Sequence, residues 1–408
     1  MAATSFPRDR IRVTLLENIH PSAAAALEAS GYSVELIPQA LDGDELQAVM
    51  AASHVLGVRS RTKIRDAQLS DAGKMLAIGC FSVGTDQVAI QEAERRGIPV
   101  FNAPHASTRS VAELTMGCVV ALARRLGDKN TLLHGRVWDK SLAGAHEVRS
   151  RTLGIIGYGH IGQQVGLLGE AFGMRVLFHD IVKKLPLGNA RSMADLSRLL
   201  EESDFVTLHV PETPRTRELI DAARLQRMRP GSYLLNLSRG KVVDMTALRD
   251  ALEREHLSGA AIDVFPAEPA PTRVEFDVGL AGMPNVILTP HVGGNTEEAQ
   301  RNIGLEVAHA LTDFIDRGST EGAVNFPHVN LPAIPGTHRI LSIHRNVPGV
   351  LAAVNRIVSE VGANIDAQQL ATSRDIGYLV MDVNRELSDE VNSRIGALPM
   401  SVRTRILY

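Results

Sequence analysis

RTLGIIGYGHIG, residues Arg151–Gly162, is the stretch on which the fold turns. Its first half, LGIIG, is a short apolar run of the kind that becomes a buried strand. Its second half, Gly157-Tyr158-Gly159-His160-Ile161-Gly162, is a GxGxxG turn, and it opens the helical run QQVGLLGEAFG. Alone, such a glycine pattern is weak. Between a strand and a helix it gains a mechanism. Gly157 makes the tight turn, Gly159 lets a pyrophosphate come close to the backbone, and Gly162 allows close helix–strand packing. The free N–H groups at the helix N-terminus then face phosphate charge. Asp180 ends the next apolar run, RVLFHD (175–180), eighteen residues after Gly162. A carboxylate there accepts hydrogen bonds from ribose hydroxyls and repels a 2′-phosphate, so NAD is favoured over NADP. Lys183 and Lys184 follow closely and soften that preference.

Further apolar runs continue downstream at DFVTLHVP (204–211), GSYLLNLS (231–238), GAAIDVF (259–265) and NVILTP (285–290). Separated by helical patterns, they predict a doubly wound Rossmann sheet of about six strands. Upstream, residues 11–104 show the same alternation. RVTLLE (12–17), MLAIGC (75–80) and IPVFNAP (98–104) read as strands, with helical patterns at 21–31, 42–51 and 87–97. This predicts a second α/β domain with a covered parallel sheet. SVAE (110–113) carries a capping-box signature, and Val111, Leu114, Cys118, Ala121 and Leu122 trace one face of a helix expected over 110–126. Another long helix is expected over 296–317, with Thr296 as cap and Gly318 as stop. These two helices bracket the glycine-turn region. They predict an α/β architecture in which a discontinuous flavodoxin-like substrate domain (1–107 and 296–330) holds an inserted NAD-binding domain (108–295). A Pro-, Gly- and Asn-rich linker follows at 319–336. The remainder, 337–408, reads strand, helix, strand, strand, helix, strand, the βαββαβ order of a ferredoxin-like module.

Composition narrows the function. The 408 residues are 44% hydrophobic and 22% charged, with a formal charge of −3. Nucleic acid is therefore not an expected partner. No apolar run reaches the roughly 18–20 residues that span a bilayer, and the N-terminus has no long apolar core. Neither membrane association nor secretion is expected, and a cytoplasmic location is. Cys80 and Cys118 sit in no CxxC, so they are expected to be buried thiols, and no metal is expected.

Three polar residues lie just beyond strand ends of the glycine-turn domain: Arg239 in NLSRG (236–240), Glu268 in DVFPAEP (263–269) and His291 in LTPHVGG (288–294). The carboxyl ends of strands border the ligand crevice of an open α/β sheet. Oxidising a secondary alcohol needs a base for the hydroxyl proton while hydride leaves the carbon. Histidine, with an ordinary pKa of about 6.5, serves that purpose in both directions. A partner carboxylate orients the ring and favours its charged form. A guanidinium supplies a fork for a substrate carboxylate.

GYGHIG, NLSRG, DVFPAEP and LTPHVGG, in that order, resemble the motifs of the D-specific 2-hydroxyacid dehydrogenase family. The resemblance implies Arg239, Glu268 and His291 as catalytic residues. It implies NAD contacts from His160, Ile161, Asp180, Leu237, Ser238, Arg239, Asp263, His291, Val292, Gly293 and Gly294, besides the glycine turn. RSRTKIR (59–65) resembles the anion loop of family members acting on a phosphorylated hydroxy acid, with Arg59, Ser60 and Arg61 toward substrate. Read physically, the alternating cations Arg59, Arg61, Lys63 and Arg65 share one side of an extended chain. GCFSVGTDQV (79–88) matches the family's substrate turn, where Val83 and Gly84 offer backbone N–H groups. NAPHASTRS (102–110) follows the hinge pattern, but Ser107 stands where Asn is expected, a departure that bears on one substrate hydrogen bond. Trp138 and Lys140 in RVWDK match positions that reach a neighbouring subunit's site.

HRNVPGV (344–350) and the residues after it resemble the ACT amino-acid-binding module. Pro348 is expected to start its first helix. His344, Asn346 and Asn364 are expected to grip a small amino acid together, and the resemblance implies L-serine as inhibitor. It also implies a homotetramer through Rossmann and ACT contacts. Two other readings stay open: a dehydrogenase for a different 2-oxo acid such as 2-oxoglutarate, and a non-enzymatic NAD-sensing scaffold.

Overall fold

The structure is a computed structural model that describes residues 6–70, 72–269 and 273–408. Two compact units emerge, one from Met1–Ala106 with Gln300–Tyr408 and the other Ser107–Ala299.

The second unit is built on a seven-stranded sheet in the spatial order Val286–Leu288, Leu257–Ile262, Ser232–Asn236, Phe205–Leu208, Thr152–Ile156, Arg175–His179, Arg191–Ser192. Every neighbouring pair is parallel. The chain enters at Thr152–Ile156, winds outward to Arg191–Ser192, then crosses back to Phe205–Leu208. The order therefore reverses between Thr152–Ile156 and Phe205–Leu208, the switch point where open α/β sheets take ligands. The central strands TLGII, FVTL and SYLLN are buried throughout, because helices cover both faces. The seventh strand, against about six expected, is the exposed two-residue edge Arg191–Ser192. It has no apolar run to announce it.

The helix expected over 110–126 runs from Thr108 to Ala123, and a separate helix, Leu126–His134, follows a break where Arg125 adopts φ 50°. The Ser110–Glu113 capping box does not form. The helix has already begun at Thr108, so Ser110 Oγ instead meets Thr296 Oγ1 at 2.8 Å and Glu113 pairs with Arg109 Nε at 2.6 Å. At the other flanking helix, Glu297–Arg317, Thr296 Oγ1 accepts from the Ala299 N–H at 3.2 Å, and Gly318 ends the helix at φ 72°.

The first unit holds a five-stranded parallel sheet in the order Ser33–Ile37, Arg12–Leu16, Val55–Val58, Ala77–Cys80, Val100–Phe101. That 2-1-3-4-5 order is flavodoxin-like. Val307, Leu311 and Phe314 of Glu297–Arg317 pack with Val13, Leu15 and Phe101 in its core. A Cβ at Gly79 would lie 2.8 Å from Val307 Cγ1, so this glycine admits the helix. The segment 319–336 has no regular strand or helix, but its first half is not a free linker. Buried Asn325 accepts the Val100 N–H at 2.8 Å and donates to Ile98 O at 3.0 Å, while Val324 N–H bonds to Val100 O. The segment thus satisfies the open edge of Val100–Phe101, as a buried strand edge requires.

The C-terminal module adds a four-stranded antiparallel sheet, ordered Ile365–Thr372, Ile376–Val383, His338–Arg345, Ser401–Leu407. Helices Val350–Val361 and Ser388–Gly396 cover one face through Val354, Val358, Val391 and Ile395 against Ile340, Leu379 and Met381. The other face, with Leu341, Ile343, Tyr378 and Val380, is continuous with the core of the first unit. Pro348 does not start the helix. Gly349, at φ 90°, makes the turn, and the helix begins at Val350.

Arg339 joins these parts. Its guanidinium, with the side chain 7% exposed, forms a bidentate pair with Asp382 at 2.7 Å on both arms. It also donates to Arg317 O, Leu331 O and Pro332 O. Removing one member of such a pair strands a buried charge, at a cost of about 3–5 kcal/mol. Asp382→Ala should therefore lower the thermal midpoint of the full chain by several degrees, and an unchanged midpoint in a calorimetric scan would contradict this.

Candidate active site

The site of the second unit is assembled from turns at the carboxyl ends of adjacent parallel strands. Thr152–Ile156 delivers the glycine turn. Gly157 stands at φ 91°, and a Cβ there would lie 2.3 Å from His209 O. A Cβ at Gly162 would lie 2.2 Å from Gly157 O, whereas one at Gly159 would meet nothing within 4 Å. Gly157 and Gly162 are thus packing glycines, and Gly159 presents bare backbone to open space where helix His160–Ala171 begins. Asp180 ends the adjacent strand. Its Oδ2 accepts the Tyr158 N–H at 2.8 Å and its Oδ1 the Val182 N–H at 2.9 Å. The carboxylate is fixed beside the turn with lone pairs to spare. This arrangement fits a dinucleotide, with pyrophosphate at the helix N-terminus and ribose at Asp180.

On the other side of the switch point, Asn236 is fully buried at the end of its strand. Its Oδ1 accepts from the N–H and hydroxyl of Ser238, at 3.1 and 2.9 Å, and its Nδ2 donates to Arg239 O at 3.0 Å. The LSRG turn is shaped by this one side chain. Arg239 keeps one guanidinium arm on Ser238 O at 2.8 Å. Gly240 packs so tightly on Phe265 that a Cβ would fall 1.9 Å from its carbonyl carbon, which ties the Arg239 turn to the one bearing Glu268.

His291 ends the third strand of this group and stands at φ 54°, a left-handed conformation rare outside glycine. Buried Asp263 holds it there. The His291 N–H bonds to Asp263 O at 2.8 Å, and the carboxylate accepts Thr289 Oγ1 at 2.6 Å, Val292 N–H at 2.8 Å and Gly293 N–H at 2.9 Å. Glu268 Oε1 takes the Phe265 N–H at 3.1 Å, and its Oε2 lies 2.8 Å from His291 Nδ1. That hydrogen bond raises the His291 pKa. Burial opposes the rise, the charges of Glu268 and Asp263 add to it, and Arg239 lowers it. For Glu268 burial acts upward, but the His291 hydrogen bond and charge, the Phe265 N–H and Arg239 outweigh it and hold the carboxyl below its usual value. The charge of Arg239 thus reaches both members of the dyad. His209, at the end of Phe205–Leu208, differs: burial drives its pKa down to about 3, so it is neutral.

One residue that shapes the site, Asn236, was not anticipated from the sequence. Asn236 was visible only as a polar residue inside the apolar run LLNLS. Asp263, expected to touch NAD, also anchors the His291 loop through its carboxylate.

The first unit presents its own groups. The N–H groups of Val83 and Gly84 have no acceptor among the described residues, and their turn is fixed by Ser82 Oγ to Gly84 O and Asn102 Nδ2 to Val83 O. Arg59 is partly buried and its guanidinium has no acceptor among the described residues, while Arg61 is exposed and pairs loosely with Glu17 at 3.6 Å. Lys63 is spent on Ser60 O. In the second unit, Ser107 is buried beside Gly294. Trp138 is 74% exposed, with the Lys140 ammonium 5.7 Å from its ring centroid.

In the C-terminal module the expected effector residues do not converge within one chain. Asn346 donates to Ser373 O at 2.7 Å, near the Arg345↔Ile376 pair. Asn364 takes the Asn384 side chain on its N–H and precedes the Ile365↔Val383 pair. These lie at opposite ends of the strand Ile376–Val383, which at about 3.3 Å per residue separates them by roughly 23 Å. His344 is buried, with Nδ1 on Arg345 O at 3.0 Å.

Residues 116–293 match the family described as D-isomer specific 2-hydroxyacid dehydrogenase, NAD binding domain, and residues 340–401 match the AHAS small subunit-like ACT domain. A D-3-phosphoglycerate dehydrogenase of Dictyostelium discoideum is 51% identical over 99% of both chains. This chain belongs to the D-isomer specific 2-hydroxyacid dehydrogenase family. A D-3-phosphoglycerate dehydrogenase of Escherichia coli K12 is 49% identical over the full length of both chains. Among solved structures, the D-lactate dehydrogenase of Aquifex aeolicus complexed with NAD and lactic acid is 30% identical with a TM-score of 0.68, covering 77% of this chain and 99% of that one. The chain is accordingly an NAD-dependent oxidoreductase of this family with a C-terminal ACT domain.

The fixed carboxylate of Asp180 makes the cofactor preference testable. A hydrogen bond to a charged acceptor contributes about 1.5–3 kcal/mol, so Asp180→Ala should weaken NADH binding at least about tenfold. It should weaken NADPH binding less. Fluorescence titration of both cofactors reads this, and equal losses for the two would contradict the assignment.

Proposed function

We propose that this chain oxidises D-3-phosphoglycerate to 3-phosphohydroxypyruvate with NAD, and that L-serine inhibits it through the ACT domain. The observation that carries the chemistry is the His291–Glu268 hydrogen bond beside the Arg239 guanidinium. Bound NAD, held at the glycine turn and Asp180, would supply the acceptor for the hydride of the carbinol carbon. Neutral His291 takes the hydroxyl proton on Nε2, while its Nδ1–H stays on Glu268, which stabilises the imidazolium as it forms. Arg239 holds the substrate carboxylate and polarises the developing carbonyl. In reverse, the imidazolium returns the proton to the carbonyl oxygen.

The phosphate preference is supported by Arg59 and Arg61 on the 59–65 loop, and by two relatives of nearly equal length with that name. Two unit charges about 4 Å apart attract by ~4 kcal/mol at an effective dielectric near 20, enough to separate phosphorylated from unphosphorylated acids. Val83 and Gly84 offer N–H groups to the carboxylate end.

Serine regulation follows from the same reading of the ACT domain. Because Asn346 and Asn364 are far apart within one chain, a shared effector needs two modules. Edge-to-edge pairing along Ile365–Thr372 brings Asn346 of one copy toward Asn364 of another. A second contact between copies fits the exposed apolar run containing Leu126, Trp138 and Leu142, with Trp138 and Lys140 directed to the partner's site. Together the two contacts make a homotetramer. Cytoplasmic residence accords with the buried free thiols Cys80 and Cys118.

Initial rates test the reading. NADH formation from D-3-phosphoglycerate should exceed that from D-lactate or D-glycerate at equal concentration, and serine should lower it. Preference for an unphosphorylated acid such as 2-hydroxyglutarate would overturn it.

The pH profile tests the dyad. Oxidation needs neutral His291, so its rate rises with pH through the raised pKa. Reduction needs the imidazolium, so its rate falls there. Glu268→Gln removes the main raising influence and should move both limbs to lower pH. Unmoved limbs would remove Glu268 from its role.

A further inference from the structure

The carboxylate of Glu17 is a deeply buried acidic group of the first unit that the chemistry above leaves unused. Its side chain is 1% exposed, and its backbone, like that of Asn18, is left-handed, at φ 63° and 50°. Such a conformation at a glutamate is costly and persists only where surrounding bonds enforce it. Here they do. The Glu17 N–H bonds to Ile37 O at 3.0 Å and Gln39 O at 3.2 Å. Its Oε1 accepts the Arg59 N–H at 3.2 Å and the Thr62 N–H at 2.8 Å, and its Oε2 accepts the Arg61 N–H at 3.0 Å. Thr62 is buried in turn and accepts from Leu41 N–H. One carboxylate therefore collects three of the backbone donors of the loop that carries Arg59 and Arg61.

We propose that Glu17 is the positioning residue of the anion loop, fixing its backbone so that the Arg59 and Arg61 side chains are preorganised for a substrate phosphate. The proposal rests on the reading of the substrate as a phosphorylated acid. Glu17 touches neither substrate nor cofactor in this account. A carboxylate suits the task because it is acceptor-only. It satisfies several N–H groups from beneath without offering a donor that would turn the loop around. An amide of the same shape cannot: one of its two ends points hydrogens at the loop's own N–H groups. Preorganised charges bind an anion without the entropic cost of ordering a loop.

Glu17→Gln in the full-length enzyme is the test. With phosphohydroxypyruvate and NADH, KM should rise about tenfold, the equivalent of ~1.4 kcal/mol, with kcat held within about twofold. With hydroxypyruvate, which lacks the phosphate, KM should stay near wild type, so selectivity between the two acids falls. NADH affinity, read by fluorescence, should be unchanged. If the variant keeps wild-type selectivity, or loses both substrates equally, Glu17 does not position the anion loop. If the wild-type enzyme itself fails to prefer the phosphorylated acid, the substrate reading fails instead, and the two failures are told apart by that control. Hydrogen exchange on the unliganded wild-type enzyme gives a reading that does not depend on a variant folding. The amides of Arg59, Arg61 and Thr62 should be protected well beyond free-loop rates, and exchange at such rates would overturn the proposal.

Discussion

The catalytic arrangement depends on the carboxylate of Asp263. It accepts from Thr289, Val292 and Gly293 at once and holds the intervening His291 in a left-handed conformation that a histidine seldom adopts. A strained backbone of this kind costs about 1–3 kcal/mol, and the buried, charge-assisted bonds offset it. Because the loop is held in place, the imidazole is set beside Glu268 rather than left to find it. Gly293 is needed for the same reason: a Cβ there would sit 3.0 Å from Asp263 Oδ2. The geometry of the dyad and part of the raised His291 pKa follow from one buried acid.

The same device recurs elsewhere in the chain. Asn236 shapes the Arg239 turn, Glu17 gathers the 59–62 loop, and Asn325 closes the edge of Val100–Phe101. In each case a buried polar side chain satisfies backbone groups that the sheet leaves open. The sheets supply the frame, and these side chains decide which way the functional loops face. This division explains how ordinary parallel sheets present an arginine, a glutamate and a histidine from three adjacent strands.

Much of the architecture was legible in the sequence, because parallel strands buried on both faces are written as plain apolar runs. LGIIG, FVTL and SYLLN could hardly be anything else once a glycine turn followed the first. The βαββαβ order of the C-terminal module was equally legible. What escaped was whatever the apolar pattern does not encode. The edge strand Arg191–Ser192 is exposed on both faces, and the helix break at Arg125 rests on one backbone angle. The Ser110 capping box failed because a local motif cannot know that the helix starts earlier. Of the candidate site, Arg239, Glu268 and His291 were readable as motifs, and the structure brings them to neighbouring strand ends. The acceptors beneath them were not readable, since a buried Asn or Glu looks like any other polar residue until its partners are known. The effector residues show the opposite limit. They were read as one cluster, yet strand register places Asn346 and Asn364 at opposite ends of the module.

The central claim concerns a proton: that Asp263 and Glu268 together keep neutral His291 with hydrogen on Nδ1, leaving Nε2 bare to receive the substrate's hydroxyl proton. Nitrogen-15 NMR of enzyme labelled at histidine, with His291 assigned by substitution, measures this directly across a pH titration. The account predicts a neutral ring with a protonated Nδ1 and an unprotonated Nε2, titrating above the ordinary histidine pKa. A neutral ring carrying its hydrogen on Nε2, or one titrating below that value, would contradict it.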